Sequence, residues 1–254
     1  MNKIISIAML IVPVFILVFC SGSVSVDNNK MKVFPASNNI VVLELFTSQG
    51  CSSCPPADRL LATYANREDI AALSFHVDYW NKLGWKDPFS DPAFSTRQEN
   101  YSSSFEAGSV YTPQIIINGE KEMVGSDEQK ISATIGQFQK QPSSSQIIID
   151  DIKADNNKVS VTYSLKGKFS NSVVNIALVQ HKITTSVKAG ENSGRTLTNY
   201  NVVRNFKTIN SFKQEKNTAT LDIVAVINKN EFSVILFLQD ISSNKIYGAV
   251  KSAL

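Results

Sequence analysis

Ile40-Val41-Val42-Leu43-Glu44-Leu45-Phe46-Thr47-Ser48-Gln49-Gly50-Cys51-Ser52-Ser53-Cys54-Pro55-Pro56-Ala57-Asp58 reads in one run as a strand, a turn and the start of a helix. Residues 40–46 are apolar except for Glu44, the composition of a strand covered on both faces. Thr47-Ser48-Gln49-Gly50 is a turn. Beyond the cysteines, Ala57, Leu60, Leu61 and Tyr64 fall on one helical face. A second apolar run at 71–77 completes strand–helix–strand, which implies a parallel pair joined by a right-handed crossover.

Working outward, residues 78–90 are rich in aromatics, Pro and Gly and read as a long loop. Asp91-Pro92 supplies a helix cap and a first-turn proline. Phe94, Gln98, Tyr101 and Phe105 form the buried stripe of the helix that follows. Thr112-Pro113 leads into a strand at 114–117, and Asn118-Gly119 predicts a two-residue hairpin turn. Ser126 and Gln129 have capping-box spacing, and Ile131, Ile135 and Phe138 give the last helix its apolar side. Residues 141–145 read as a linker. Past them the pattern changes: Val159, Val161, Tyr163 and Leu165 alternate with polar residues, as do Val174, Ile176 and Leu178, and 233–238 is a continuous apolar run. Short strands between Asn- and Gly-marked turns predict an all-β sandwich of about seven strands.

Two domains in 254 residues is the natural expectation for this length. Apolar residues are 43% and charged residues 19% of the chain, enough for ordinary cores. A net charge of +3 spread along the sequence gives no basic patch for nucleic acid. Two His and three Cys exclude a disulfide-stapled mini-fold and a multi-zinc protein.

The amino terminus has a basic start at Lys3, an apolar run through residues 4–19, and small residues at 21–23. That order describes an export signal over 1–22, and the run is shorter than a membrane span needs. Leu17-Val18-Phe19-Cys20 is similar to a lipoprotein box, with Phe19 where a small residue is wanted. Three forms stay open: lipidation of Cys20 with attachment to the membrane, cleavage after Ser23, and an uncleaved anchor. In each the expected location is periplasmic or extracellular, where Cys51 and Cys54 are expected to pair.

A C-x-x-C pair at a helix start has free backbone N–H groups and the positive dipole end beside it, which stabilises a thiolate. Cys51, at the exposed edge, is the expected nucleophile, and Cys54, one turn in, the resolving thiol. A structural disulfide and a copper or zinc site using the pair with His76 are the competing readings. His76 and Asp78 alternate on one face at the end of the second strand and read as a hydrogen-bonded pair. Tyr79, Trp80, Trp85 and Phe89 read as an aromatic cover or a substrate groove.

The order strand, C-x-x-C, helix, strand, helix, Thr-Pro, hairpin, helix resembles the thioredoxin superfamily over roughly residues 40–140. The resemblance implies a cis bond before Pro113, with the Thr112 backbone facing the cysteines. It also implies that Glu44 is the buried acid that passes a proton to the second cysteine. The motif 45–58, together with His76-Val77-Asp78-Tyr79-Trp80, Leu83-Gly84-Trp85-Lys86-Asp87-Pro88-Phe89 and Val110-Tyr111-Thr112-Pro113-Gln114, is similar to an uncharacterised family of secreted bacterial proteins. Asn81 departs from that pattern, which has an acid there.

The fold class expected is α/β, with a thioredoxin-like domain at 38–141 and a β sandwich at 146–254. The expected function is thiol–disulfide exchange with protein or small-molecule partners. Cys51, Cys54, Pro113 and Glu44 are the catalytic candidates, and Thr112, Trp80 and Trp85 line the groove. No cofactor and no resident metal are expected. The alternative is a metal-binding or protein-interaction module holding an inert disulfide.

Overall fold

The seven residues of β1 (Val41–Thr47) are all buried, as their composition demands. They form the centre of a computed structural model that describes residues 39–105, 108–155, 157–167, 169–213, 215–223 and 228–254. The export signal expected at 1–22 lies outside the described residues. β1 pairs in parallel with β2 (Ile70–His76), setting Thr47 opposite His76, and antiparallel with β3 (Gln114–Ile117). β3 turns into β4 (Lys121–Val124). The turn takes three residues, 118–120, rather than two, because Ile117 already pairs with Lys121. Asn118 and Gly119 both have positive φ there, 50° and 70°. A side chain at 119 would also collide with the Asn244 carbonyl, at 1.9 Å from its Cβ, so only glycine fits.

Strand alternation sends the β1 side chains to two different cores. Val41, Leu43 and Leu45 pack under α1 (Pro55–Ala65) and α3 (Glu128–Gln139), against Leu61, Ile131 and Ile135. Val42 and Phe46 face α2 (Pro92–Ser102) through Phe94 and Tyr101. The apolar stripes read from sequence are the ones buried, except that Phe105 lies past the helix end. Asp91 caps α2, accepting from the Ala93 N–H at 2.8 Å. α3 is capped by Asp127 rather than Ser126: the Asp127 carboxylate accepts from the Lys130 N–H at 3.1 Å, and an ionised acceptor holds a helix N-terminus better than a hydroxyl.

Residues 145–254 carry β5 (Ser145–Ala154), β6 (Lys158–Gly167), β7 (Ser172–Ser186), β8 (Thr196–Ile209), β9 (Asn217–Asp222), β10 (Phe232–Asp240) and β11 (Ile246–Ala253). Here the expectation of a self-contained sandwich is corrected. Only β5, β6 and β9 make a sheet of their own; the others extend the first sheet to eight strands, ordered β11-β10-β7-β8-β2-β1-β3-β4. The physical reason lies in β2, whose seven residues are all buried. Such a strand cannot stand at an open edge with its backbone groups unpaired. β8 covers that edge, pairing Val202 with Ser74, while Asn201 Nδ2 donates to the Ala72 carbonyl at 3.0 Å.

The core follows the sheet. Ala177, Val179, Ile235 and Phe237 from the later strands join Val42, Phe46 and Phe75 in one apolar cluster. The opposite face of β7 and β10, with Ile176, Val234 and Leu236, is covered by Val161 and Tyr163 of the small sheet. The change of pattern at 141–145 thus marks the passage from α3 into β5, and the apolar core runs across it.

Candidate functional site

β1 ends at Thr47, and residues 48–53 turn the chain so that Cys54 becomes the N-cap of α1, with Pro55 and Pro56 in its first turn. Proline is well placed there, since the first helical N–H groups have no partner within the helix. Cys51 and Cys54 are joined as a disulfide with Cα atoms 5.5 Å apart. Both residues are fully buried, whereas Ser52 and Ser53 between them are exposed. The expected contrast between an exposed Cys51 and a shielded Cys54 is therefore absent from the oxidised pair. Cys51 Sγ lies 3.3 Å from the Ser53 hydroxyl and 3.9 Å from the Thr112 carbonyl oxygen. The Thr112–Pro113 bond is cis.

The turn before the cysteines is held from several directions. The Gln49 N–H donates to Asp87 Oδ2 at 2.8 Å, and Gln49 Nε2 to Asn199 Oδ1 at 2.9 Å. Trp85 Nε1 donates to Gln49 Oε1 at 3.2 Å, and Trp80 Nε1 to Thr112 Oγ1 at 2.8 Å. Both tryptophans are half-buried and brace the site through their indole N–H groups. Asn192 is fully buried and donates to the carbonyls of Gln49 and Cys51, at 2.9 and 2.8 Å.

Glu44 is not with the cysteines. It shares a face of β1 with Val42 and Phe46, whereas α1 packs on the face of Leu43 and Leu45. There Arg97 pairs with it through two bonds, Nε to Oε2 at 2.6 Å and Nη2 to Oε1 at 3.0 Å. Tyr101 donates to Glu44 Oε1 at 2.5 Å. A carboxylate so satisfied is a core ion pair, and the proton role expected of Glu44 has no geometry to support it.

A different carboxylate occupies the site. Asp58 lies one helical turn after Cys54, its N–H donating to the Cys54 carbonyl at 3.1 Å, and is buried. Its Oδ2 accepts from Asn199 Nδ2 at 3.2 Å, and its Oδ1 has no partner among the described residues. Burial pushes its pKa up to about 6, only partly offset by the nearby His76 and the Thr47 hydroxyl. Thr47 Oγ1, Ser74 Oγ and His76 Nε2 are likewise buried without partners. Thr47, Ser74 and His76 all project from the α1 face of the sheet, since Thr47 stands opposite His76 and Leu45 opposite Ser74.

His76 pairs with Asp87, not with Asp78: Nδ1 to Oδ2 is 2.7 Å and both side chains are fully buried. Burial works to lower the histidine's pKa, and the charge and hydrogen bond of Asp87 outweigh it, leaving a net rise. Burial likewise works to raise the Asp87 carboxyl, but His76 and the Gln49 and Phe89 N–H groups hold it below its ordinary value. Asp78 is engaged elsewhere, accepting from Ser95 Oγ at 2.5 Å. Asn81, where an acid was expected, accepts from the Asp87 N–H at 3.0 Å and donates to Ser90 Oγ at 3.0 Å. An ionised acid could make only the first of these bonds.

Asp58, Asp87, Asn192 and Asn199 escape the sequence reading. Asp58 sits inside the motif quoted at the outset, so its position one turn after Cys54 was a usable signal. Asn192 and Asn199 belong to the β half and carry no local sign that they reach the cysteine turn.

A family model described as "Protein of unknown function (DUF1223)" matches residues 42–239. Over 85 residues the chain is 33% identical to a thioredoxin from Methanocaldococcus jannaschii, covering 34% of this chain and 79% of that relative. A crystal structure of a protein from Agrobacterium tumefaciens aligns with a TM-score of 0.65 at 29% identity, covering 84% of this chain and 93% of that one. HBP35 of Porphyromonas gingivalis aligns with a TM-score of 0.62 over 85% of this chain and 76% of that one; at 13% identity this is a likeness of fold alone.

Proposed function

The chain belongs to the DUF1223 family of unknown function, and from the chemistry of its cysteine site we propose that it exchanges disulfides with protein or small-molecule thiols outside the cytoplasm. The observation that carries the proposal is a disulfide at a helix N-terminus with a buried, half-satisfied carboxylate one turn behind it. The thioredoxin similarity adds to it. Export rests on the basic start, apolar run and small-residue exit of residues 1–23.

In the proposed cycle a partner thiolate attacks Cys51 Sγ, forming a mixed disulfide while the Cys51–Cys54 bond breaks. Cys54 leaves as a thiolate and takes a proton, for which Asp58 is the nearest buried acid along the helix. A carboxyl with a pKa of about 6 holds and releases a proton near neutral pH. The partner's second thiol then displaces Cys51, so two electrons and two protons pass from the partner dithiol to the pair. The reverse sequence oxidises a partner. Pro113 and Thr112 form the wall beside Cys51 in this reading, and Trp80 fixes that wall through Thr112.

Equilibration against dithiothreitol and glutathione, followed by thiol trapping, tests the proposal. The pair should pass electrons to or from both, and Cys54→Ser should accumulate mixed disulfides through Cys51 where Cys51→Ser accumulates none. A pair that neither reagent reduces in the folded protein would be an inert staple, and the exchange reading would fall.

A further inference from the structure

The loop between β7 and β8 reaches the cysteine turn from some 140 residues away in sequence, as the separations of 139 and 141 residues in its hydrogen bonds record. Gly190, at φ 75°, bends it against Trp85, where an added Cβ would lie 3.3 Å from the Trp85 Cβ. Asn192 is the anchor: it is fully buried, holds the Gln49 and Cys51 carbonyls, and is held in turn by Arg195 Nη1 at 3.0 Å. Next to it Glu191 is exposed, and its Oε2 accepts from the Ser52 N–H at 2.9 Å. The Ser52 amide, three residues before the first helical residue Pro55, is thus already occupied by a carboxylate of the chain itself.

We infer that this hairpin tip tunes the cysteine pair: Glu191, seated on the Ser52 N–H, puts negative charge beside the sulfur that becomes the Cys51 thiolate and so favours the disulfide over the dithiol. The inference rests on the exchange reading above and adds a residue to it. Glu191 does not touch the reacting sulfurs; it is a positioning residue acting through the Ser52 amide and through its charge. Ser52 is bonded directly to Cys51, so the carboxylate sits on the residue next to the reacting one. The other charged groups tied to this turn are Arg195 through Asn192, Asp87 on the Gln49 N–H, and Asp58 behind the pair. None of them bonds the segment between the two cysteines, as Glu191 does.

Reduction by a partner dithiol breaks the S–S bond, gives the pair two electrons, and leaves Cys54 as a thiol and Cys51 as a thiolate wherever the pH exceeds the Cys51 pKa. Removing the Glu191 charge should lower that pKa by about half a pH unit, the scale of one charge acting across a few ångströms of solvent. The dithiol would then gain about threefold over the disulfide above the Cys51 pKa and nothing below it.

The test is alkylation of Cys51 across pH in phosphine-reduced protein, in a Cys54→Ser background at low salt, with Glu191, Glu191→Gln and Glu191→Asp compared. The midpoint should fall in Glu191→Gln and stay at the parent value in Glu191→Asp. The dithiothreitol equilibrium of the intact pair should shift about threefold in Glu191→Gln at high pH only. A midpoint unchanged or raised by Glu191→Gln, or an equilibrium shift of equal size at all pH values, would overturn the inference and leave the hairpin as a cover. A wild-type pair that dithiols cannot reduce would sink the exchange reading instead, while the alkylation midpoint would still decide the role of Glu191.

Discussion

Glu44 and Asp58 are both buried carboxylates, one on each side of the same sheet, and they live in opposite circumstances. Around Glu44 every strong donor is in place: Arg97 makes two bonds, Tyr101 a third, and Gln239 ties Arg97 and Tyr101 to β10. Arg97 also lies over the rings of Phe75, Tyr101, Phe206 and Phe237, which shields its charge. Around Asp58 one oxygen accepts from Asn199, and the other faces a region where Thr47, Ser74 and His76 also lack partners. A carboxylate with all its bonds made ties α2 to the sheet. One left half-satisfied has its pKa pushed up to about 6, and it lies one helical turn after Cys54.

Arg97→Ala breaks the comparison hardest, because it strands the Glu44 charge in the core. A loss of about 3–5 kcal/mol in unfolding free energy is expected, measured by urea denaturation at neutral pH. A loss below about 1 kcal/mol would mean that Glu44 reaches water or takes up a proton.

Asp58→Asn should do the reverse. The folded pKa of Asp58, about 6, stands above its ordinary value of 3.8. Ionisation therefore opposes folding: the wild type is most stable below pH ~4 with respect to this group, and loses that stability as pH rises through ~6. The variant escapes the loss and should exceed the wild type by up to about 3 kcal/mol at pH 8, with no advantage from this group near pH 3.5. Its disulfide exchange should nevertheless be slower. Paired urea titrations at the two pH values, with stopped-flow reduction by dithiothreitol, check both halves; a variant destabilised at pH 8 would refute the assignment.

Thr47→Val sharpens the contrast at smaller scale. The hydroxyl holds the Asp58 pKa down, so its removal should raise the midpoint seen in the pH dependence of exchange. Stability should change by no more than about 1 kcal/mol, the scale of one buried hydroxyl. A midpoint that falls would show that Thr47 does not face Asp58.

Continuous apolar runs were enough to identify β1 and β2, and 3.6-residue patterning identified the buried sides of all three helices. Which face of β1 carries the cysteine helix is another matter. Glu44 alternates with Leu43 and Leu45 in plain view, but nothing local says on which side α1 packs, so the sequence does not reveal that Glu44 faces α2. The β half failed differently. A set of about seven strands was legible from short alternating or apolar runs and their turns, while the pairing of Ser74 with Val202 joins residues far apart whose neighbours carry no mark of each other. Asn192, Asn199 and Asn201 make the long-range bonds, and only their burial in the folded chain reveals it.

The seam between β2 and β8 also dictates an order of events during synthesis. Ribosomes deliver the first half well before residue 202 exists, so an apolar strand waits with one rim bare. Until the last third of the chain arrives, that rim is a template for any passing extended segment, including the same strand of a sister molecule.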